Sequence, residues 1–292
     1  MIESPLPSLQ AWTQALSNAE IPVLPGSVAE LAQLKAIEEA NGSVDAHTLA
    51  ESFCNDPLMT LKVLVHVARM CTRQQVEPPE TLVGSIVMQG IGPFFRAFDQ
   101  TPHILDWLHD QPEAMSGLLK VITRARRASH FAMSFALHRQ DEDVVVMQEA
   151  ALLHDFAEML LWCHAPKLAL QIAQRLKADI HIRSADIQKE VLGVELVDLG
   201  QALMHHWHLP ELIMQATDDH NAVHPKVRTV TLAVRLARHT QYGWDDPHAQ
   251  AAVPDDIADI AQLLILSHDA ARRLVEGLDS VPDRIQAPGL QP

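Results

Sequence analysis

Apolar residues recur along most of this chain at the three- and four-residue spacing of an amphipathic helix. In the segment that Asp56-Pro57 opens, they are Leu58, Leu61, Val65 and Ala68. The segment from Val144 to His164 is apolar nearly all round, which predicts a single helix enclosed by others. No alternating strand pattern flanks an Asn-Gly turn. The pattern therefore predicts an all-α fold, a multi-helix bundle of about a dozen helices with a helical N-terminal lobe.

Capping residues and prolines mark where these helices begin. Ser27 and Glu30 have the spacing of a capping box, which predicts a helix that opens at Ser27. Asp56-Pro57 combines an N-cap carboxylate with a proline in the first helical position. Further helices are predicted around Leu82–Phe98 and, as one long element, from Glu113 to Leu137.

The same punctuation predicts the domain organisation. A lead-in helix occupies residues 1–18, and one domain covers 19–240. This domain divides into an N-terminal helical lobe of about 19–112 and a second lobe of about 113–240. Residues 241–292 form a helical extension whose Pro-rich end, after Leu278, is predicted to fray.

Charge and composition narrow the class of function. With 22 basic and 37 acidic side chains the net charge is −15, which disfavours binding of nucleic acid by the surface as a whole. The chain shows neither a secretory signal nor an apolar run long enough to enter a membrane, so we expect a cytoplasmic protein without membrane insertion. The three cysteines form no CxxC motif and are interpreted as core residues. Basic residues of the long helix predict either a solvated face or a patch for an anionic ligand or an acidic partner; they are Arg124, Arg126 and Arg127.

Histidine is over-represented, with 17 in the chain. His154-Asp155 follows Ala150-Ala151-Leu152-Leu153, so the pair is predicted to lie within an apolar helix. His130 lies on the preceding helix, and an antiparallel turn between the two helices predicts a three-ligand metal site or a buried polar network of His130, His154 and Asp155. A second group offers weaker candidate ligands, because its members pair at helical spacing; these are His205, His208, His220 and His224.

These residues resemble a known superfamily. Ala151-Leu152-Leu153-His154-Asp155, with a histidine upstream, looks like the HD superfamily of metal-dependent phosphohydrolases. The chain is also similar to the HDOD family, a regulatory branch of that superfamily. The segments that carry this likeness are Ile21-Pro22-Val23-Leu24-Pro25, Asn55-Asp56-Pro57-Leu58, Glu190 with Gly193 and Gly200, and Trp207-His208-Leu209-Pro210 with His220.

The chain departs from the catalytic pattern at several positions. Val234 stands where HD phosphohydrolases carry a later Asp, and Leu196 stands where relatives have a further histidine. Ala157 and Glu158 replace the Gly and Lys of the HD-GYP pattern, and a glutamate does not attract phosphate. The resemblance therefore implies a degenerate metal site, no catalysis and no cofactor. Whether the site still binds a residual divalent ion is left open.

The sequence and the resemblance leave three alternative functions to be tested. The first is a noncatalytic HDOD regulator of bacterial signalling that binds another signalling protein of unknown identity, with a homodimer left open. The second is a metal-dependent phosphohydrolase acting on a nucleotide or a cyclic dinucleotide. The third is a module that binds a nucleotide second messenger without cleaving it, although the chain has no Gly-rich phosphate loop.

Overall fold

The computed structural model describes residues 1–178 and 182–279, and it confirms the all-α prediction. The first helices are α1 (Leu9–Ser17), α2 (Pro25–Asn41), α3 (Ala46–Phe53), α4 (Pro57–Gln74), α5 (Leu82–Gln89), α6 (Ile91–Phe98) and α7 (Leu105–Leu108). They are followed by α8 (Pro112–His138), α9 (Val144–Leu153), α10 (Phe156–His164), α11 (Pro166–Ala178), α12 (Ser184–Leu192), α13 (Leu196–Trp207) and α14 (Glu211–Ala216). A 3-10 turn (Asp219–Asn221) precedes α15 (Pro225–His239), α16 (Pro247–Leu264) and α17 (His268–Asp279).

The contacts of these helices divide the chain into two compact units. Among the described residues, unit 1 comprises 1–122, 155–178 and 182–211, and unit 2 comprises 123–154 and 212–279. This division differs from the predicted lobes, because residues 155–211 group with the N-terminal part of the chain. No helix among the described residues is long and apolar enough to cross a bilayer.

Unit 1 contains an aromatic core and a separate contact between its first helix and α13. Phe53, Phe94 and Phe98 are buried in a cluster contributed by α2 to α6. Elsewhere in the unit α1 packs on α13, and the indole N–H of the buried Trp12 donates to the carbonyl of Leu192 at 3.0 Å. Trp207, at the end of α13, is only 2% exposed and therefore belongs to the buried part of this unit.

Unit 2 is built around α15. This helix packs against α9 and α16, and α16 in turn packs against α17. Asp256 of α16 is almost completely buried and is held by His239 Nδ1 at 2.6 Å and by Arg235 Nε at 2.7 Å. The chain after Thr240 thus forms two helices that belong to this unit. Of the end that was predicted to fray after Leu278, Asp279 is the last residue of α17, and the remainder lies outside the described residues.

Two local predictions are wrong. Gly90 adopts φ 82° and ψ 152°, a backbone conformation outside the helical region, so the helix predicted over Leu82–Phe98 is divided into α5 and α6. The capping box is also absent, since α2 already begins at Pro25. The Ser27 hydroxyl instead donates to Asp56, whose other carboxylate oxygen accepts from the backbone N–H groups of Leu58 and Met59 at the start of α4.

Candidate functional site

His154 and Asp155 lie at a break between two helices rather than within one. α9 ends at Leu153, and α10 begins at Phe156. Asp155 has φ −97° and ψ 19°, and its carbonyl accepts from the N–H of Glu158 at 3.1 Å, which starts the new helix. The prediction of one continuous helix over Val144–His164 is therefore wrong, because uniform apolarity on both sides of the pair hides the break in the helix at these two residues.

The His154 side chain is held by a residue that the sequence did not suggest. Its Nε2 lies 3.1 Å from Oδ1 of Asp219, which belongs to the 3-10 turn before α15. The same carboxylate oxygen accepts a hydrogen bond of 3.0 Å from the hydroxyl of Thr231 on α15. The His154 side chain is 5% exposed and that of Asp219 is 30% exposed. We call these three residues the His154 cluster, and all of them belong to unit 2.

The surroundings of Asp219 keep its carboxylate ionised. Burial raises the pKa of this carboxyl, but the hydrogen bond and the charge of His154 lower it, as do the Thr231 hydroxyl and the charge of Arg238. The net result is a pKa below the usual value of an aspartate. The cluster therefore combines an imidazole, a carboxylate that stays charged at neutral pH, and a hydroxyl that orients it.

We expect Asp219→Asn to lower the free energy of unfolding by about 1 kcal/mol at pH 7, because an amide accepts a weaker hydrogen bond than a carboxylate. The folded-state pKa of Asp219 lies below its unfolded value of about 4, so its contribution is present above pH 4 and is lost as the pH falls through the folded-state pKa. Urea unfolding at several pH values measures this. The exposed Asp245→Asn is the control; equal losses for both variants at pH 7 would contradict the assignment.

The other predicted ligands are distributed over different parts of the chain. His130 is half-buried on α8. His205 and His208 are exposed at the end of α13, where His208 adopts a left-handed conformation that closes the helix. His220 and His224 are exposed before α15, and the Nδ1 atom of His224 accepts from the Lys226 N–H as an N-cap. Local backbone geometry thus accounts for His208 and His224.

The donor set does not fit a cation held by three protein ligands. Over the chain described (1–178 and 182–279), no group of three or more His, Cys, Asp or Glu side chains is placed to hold a metal ion. The sets predicted from His130, His154 and Asp155, or from the histidines of 205–224, are thus not formed as metal-binding groups there. Val234 is 4% exposed on α15 and Leu196 is 8% exposed on α13, so both of these aliphatic side chains are buried.

The predicted basic patch does not present Arg127 to an external anion. The Arg127 guanidinium binds both carboxylate oxygens of Asp279 at 2.8 Å, and it also donates to the hydroxyl of Thr240 at 2.7 Å. Arg124 is 8% exposed. The prediction that Arg127 belongs to a patch for an external anion is therefore wrong, because its charge is used in an internal ion pair. For Arg126, a role in such a patch stays a prediction.

Sequence reasoning overlooked Asp219 and Thr231. Asp219 directly precedes His220, which was considered only as a metal ligand, and Thr231 lies one helical turn before Val234. The one sequence feature that could have pointed to Asp219 is its position, between the Trp207-His208-Leu209-Pro210 segment and the helix that carries Val234. Its connection to His154 spans 65 residues and depends on the fold.

Comparisons with known proteins agree with this architecture. The family model of the HDOD domain matches residues 21–223. Among solved structures, the MmoQ response regulator of Methylococcus capsulatus is 17% identical with a TM-score of 0.62, covering 88% of this chain and 98% of its own. A virulence factor of Campylobacter jejuni is 18% identical with a TM-score of 0.63, covering 91% and 92% respectively.

A third solved structure carries the family description in its name. It is an HDOD domain protein of unknown function from Geobacter sulfurreducens, 17% identical with a TM-score of 0.50 over 97% of this chain and 98% of the other. At these identities the likeness concerns the fold. No functionally curated protein was found to match. Since the family model covers well over half of the sequence, the chain belongs to the HDOD domain family.

Proposed function

We propose that this protein is a noncatalytic HDOD regulator that acts in the cytoplasm by binding another signalling protein. Membership of the HDOD family supports a regulatory role. One protein of similar fold, MmoQ, is called a response regulator. A regulator of this kind transmits a signal through a change in a binding surface rather than through turnover of a substrate.

The observation that carries the proposal is the hydrogen bond between His154 and Asp219. Hydrolysis of a phosphate ester in this superfamily requires a metal that activates water and polarises the phosphoryl group. In the described structure, the His154 Nε2 atom lies against a carboxylate of the same unit, which Thr231 orients through its hydroxyl. The imidazole of His154, the histidine of the His-Asp motif, thus has Asp219 as a partner within the protein.

The surroundings of the motif support the same proposal. A divalent cation needs oxygen or nitrogen donors, and the aliphatic side chains of Val234 and Leu196 provide none. Glu158 stands where HD-GYP relatives carry a lysine, so it would repel a phosphate rather than attract it. These substitutions remove both a ligand and a stabilising cation from the chemistry of phosphoryl transfer.

One distance also suits the second candidate, a metal-dependent phosphohydrolase. Two neighbouring ligands of an octahedral cation, each about 2.1 Å from the metal, lie about 3.0 Å apart. The 3.1 Å between His154 Nε2 and Asp219 Oδ1 matches that spacing as well as it matches a hydrogen bond. The two functions therefore differ in metal content, which is measured directly.

The first experiment measures metal and turnover together. Protein purified without a histidine tag is analysed for iron, manganese and zinc, and is then assayed with nucleotides, cyclic dinucleotides and a generic phosphate ester in the presence of each metal. We expect less than stoichiometric metal and no hydrolysis. Stoichiometric metal that disappears in His154→Ala, together with hydrolysis that the same variant loses, would establish the phosphohydrolase instead.

The second experiment tests regulation in the source organism. The gene is deleted and replaced by wild type or by His154→Gln, whose amide can still donate to Asp219 but is a poor metal ligand. We expect a signalling phenotype on deletion that both copies restore. A phenotype that His154→Gln fails to restore, although the variant unfolds at the same temperature as wild type, would argue for catalysis.

A further inference from the structure

Helices α1 and α13 border an open groove of about 620 Å³ on unit 1. Helix α1 is fixed in place by the buried side chains of Trp12 and Leu16, which are 0% and 1% exposed. Because these contacts hold α1 against the unit without a ligand, the groove is already formed in the free protein. The HDOD family model begins at residue 21, so family membership does not imply a groove that α1 helps to build.

Side-chain amides form a row along the α1 side of this groove. Gln10, Gln14 and Asn18 lie four residues apart, so they stack on one face with about 6 Å between successive levels. Among the described residues, the side-chain amides of Gln10 and Gln14 have no hydrogen-bond partner, and that of Asn18 donates only to the Gln14 carbonyl, at 2.8 Å. Ala202 and His206 border the opposite side from α13. We call this surface the α1–α13 groove, and none of these lining side chains is acidic.

The spacing of the amides fits the backbone of an extended peptide. A strand rises about 3.3 Å per residue, so the N–H and C=O groups that face one edge recur about every 6.6 Å. The two repeats differ by about 0.6 Å, which the rotatable side chain of a glutamine accommodates. An amide carries both a donor and an acceptor, as such a backbone requires. A helical partner would use its backbone groups internally, so the row of amides favours an extended segment.

A cation lies at the Asn18 end of the groove. The Arg69 guanidinium of α4 donates to the carbonyl of Ser17, directly before Asn18, at 2.9 Å. The indole N–H of Trp207, next to His206, donates to the same carbonyl at 3.4 Å, so the ends of α1 and α13 meet here. Over the part of the chain that the structure describes, Arg69 has no carboxylate partner. Its positive charge is therefore available beside the groove.

The helix that carries Arg69 is basic, although the whole chain has a net charge of −15. Helix α4 contains no acidic residue. Partial burial lowers the pKa of His66, and the positive charges of Arg69 and Arg73 lower it further. Glu20, which follows α1, is paired with Lys62. An acidic side chain of a ligand is thus attracted to this end of the groove.

We propose that the α1–α13 groove binds an extended segment of another protein, whose backbone bonds to the amides of Gln10 and Gln14 and whose acidic side chain pairs with Arg69. This inference rests on the proposed function and names a binding surface and the chemistry of the partner. About five extended residues span the length of the row of amides. Asp198 lies on α13 away from the Arg69 end, so the acidic group is excluded from the other end. A second copy is a poorer occupant, since the described chain is helical apart from one isolated bridge and its connecting loops.

The probe is a set of linear peptides of about twelve residues, selected against the full chain from a random library displayed on phage. Enriched peptides are synthesised with a fluorophore, and their binding is measured by fluorescence anisotropy. We expect them to share an aspartate or glutamate at one position, and replacement of that residue by its amide to weaken binding at least about tenfold. A selection without enriched peptides, or enriched peptides without a shared acidic residue, would contradict the proposal.

Matched variants locate the site. The double variant Gln10→Ala/Gln14→Ala should weaken binding at least about fivefold, because two hydrogen bonds are lost while alanine keeps α1 helical. Gln33→Ala on α2 is the control for an exposed helical glutamine, and it should leave binding unchanged. Ala202→Leu narrows the groove and should also weaken binding, with its fold checked by thermal unfolding. Unchanged binding in the double variant and in Ala202→Leu would exclude the α1–α13 groove.

Arg69→Gln tests the acidic contact separately, since its amide can still donate to the Ser17 carbonyl without the positive charge. The preference for an acidic peptide over its amide counterpart should fall from at least about tenfold to below about threefold in this variant. Arg273→Gln, at an exposed arginine of α17, should keep the wild-type preference. A preference that Arg69→Gln leaves intact would overturn the pairing with Arg69.

Three further outcomes separate this groove from other occupants and from the proposed function. A dimer in sedimentation equilibrium that a selected peptide dissociates would assign the groove to a second copy and overturn the proposal. Absence of enriched peptides alongside phenotype rescue by His154→Gln would reject the groove while leaving the regulatory function standing. Stoichiometric metal and hydrolysis that His154→Ala abolishes, alongside acid-dependent peptide binding, would instead reject the noncatalytic regulator and retain the groove.

Discussion

Replacing Arg127 by methionine is expected to lower the free energy of unfolding by about 2–4 kcal/mol, because it leaves the half-buried carboxylate of Asp279 without its cation. The Asp279 side chain is 19% exposed, and it accepts two hydrogen bonds from Arg127 and a third from the indole N–H of Trp244 at 2.7 Å. The guanidinium also donates to the carbonyl oxygens of Ala237 and Thr240. One side chain of α8 therefore joins the end of α15 to the end of α17.

The pH dependence of this effect has a definite sign. Burial raises the pKa of Asp279, but its hydrogen bonds with Arg127 and Trp244 and the Arg127 charge bring the pKa below the usual aspartate value. A carboxyl with a lowered folded-state pKa contributes stability above its unfolded pKa of about 4 and loses it as the pH falls through the folded value. Wild type and Arg127→Met should therefore differ most near neutral pH and converge in acid.

Urea unfolding followed by circular dichroism measures both parts of this prediction. Lys120→Met is the matched control, since Lys120 is an exposed cation on the same helix; it should change the free energy of unfolding by no more than about 0.5 kcal/mol. Asp279→Asn should cost less than Arg127→Met, because the amide still accepts one hydrogen bond. A loss at Arg127 no larger than that at Lys120 would show that the ion pair does not hold α17.

This contact also illustrates what a sequence can and cannot predict. The helix over Glu113–Leu137 was predicted to within one residue at each end of the observed α8, because proline, periodicity and turn residues are local signals. The same helix carries four basic residues between Lys120 and Arg127, and nothing in their local pattern distinguishes Arg127 from the others. Its partner, Asp279, lies 152 residues away, so only the fold identifies it.

At the candidate site, too, the local sequence identified one residue but not its partner, which is distant in the sequence. His154 was correctly singled out as a polar residue in an apolar stretch that needs a partner. His130 and Asp155 were the candidates from the sequence, and the structure adds Asp219, whose carboxylate lies against His154 and accepts from Thr231. The break at Asp155 was missed because apolar residues continue on both sides of it, and periodicity alone does not reveal where one buried helix ends and the next begins.

The second large effect on stability concerns two glycines within helices. The sequence suggests that Gly200 is the more important of the two, whereas the structure indicates that it is Gly117. Gly200 was noted as part of the family resemblance, whereas Gly117 carried no sequence signal. A Cβ added to Gly200 would lie 3.7 Å from the Phe156 ring, which is an ordinary contact. A Cβ on Gly117 would lie 2.5 Å from two carbon atoms of the Trp162 indole, which is 4% exposed. The close approach of α8 to this indole therefore requires a glycine.

We expect Gly117→Ala to lower the free energy of unfolding by about 1–3 kcal/mol, since overpacking outweighs the gain in helix propensity. Gly200→Ala is the matched control, and it should be neutral or stabilising by up to about 1 kcal/mol, because alanine restricts the unfolded chain and meets no obstacle. Both free energies come from urea unfolding. If Gly200→Ala proved the more damaging of the two, the packing around Trp162 would not be as described.

The cause of the Gly117 effect is tested by a rescue. Trp162→Leu removes the indole that the added methyl group would strike, although it creates a cavity and is destabilising by itself. Because the two residues are in contact, their effects should not add: Gly117→Ala should cost at least about 1 kcal/mol less in the Trp162→Leu background than in wild type. Additive losses would mean that the alanine acts through some other contact of α8, and the steric argument for glycine at this position would fail.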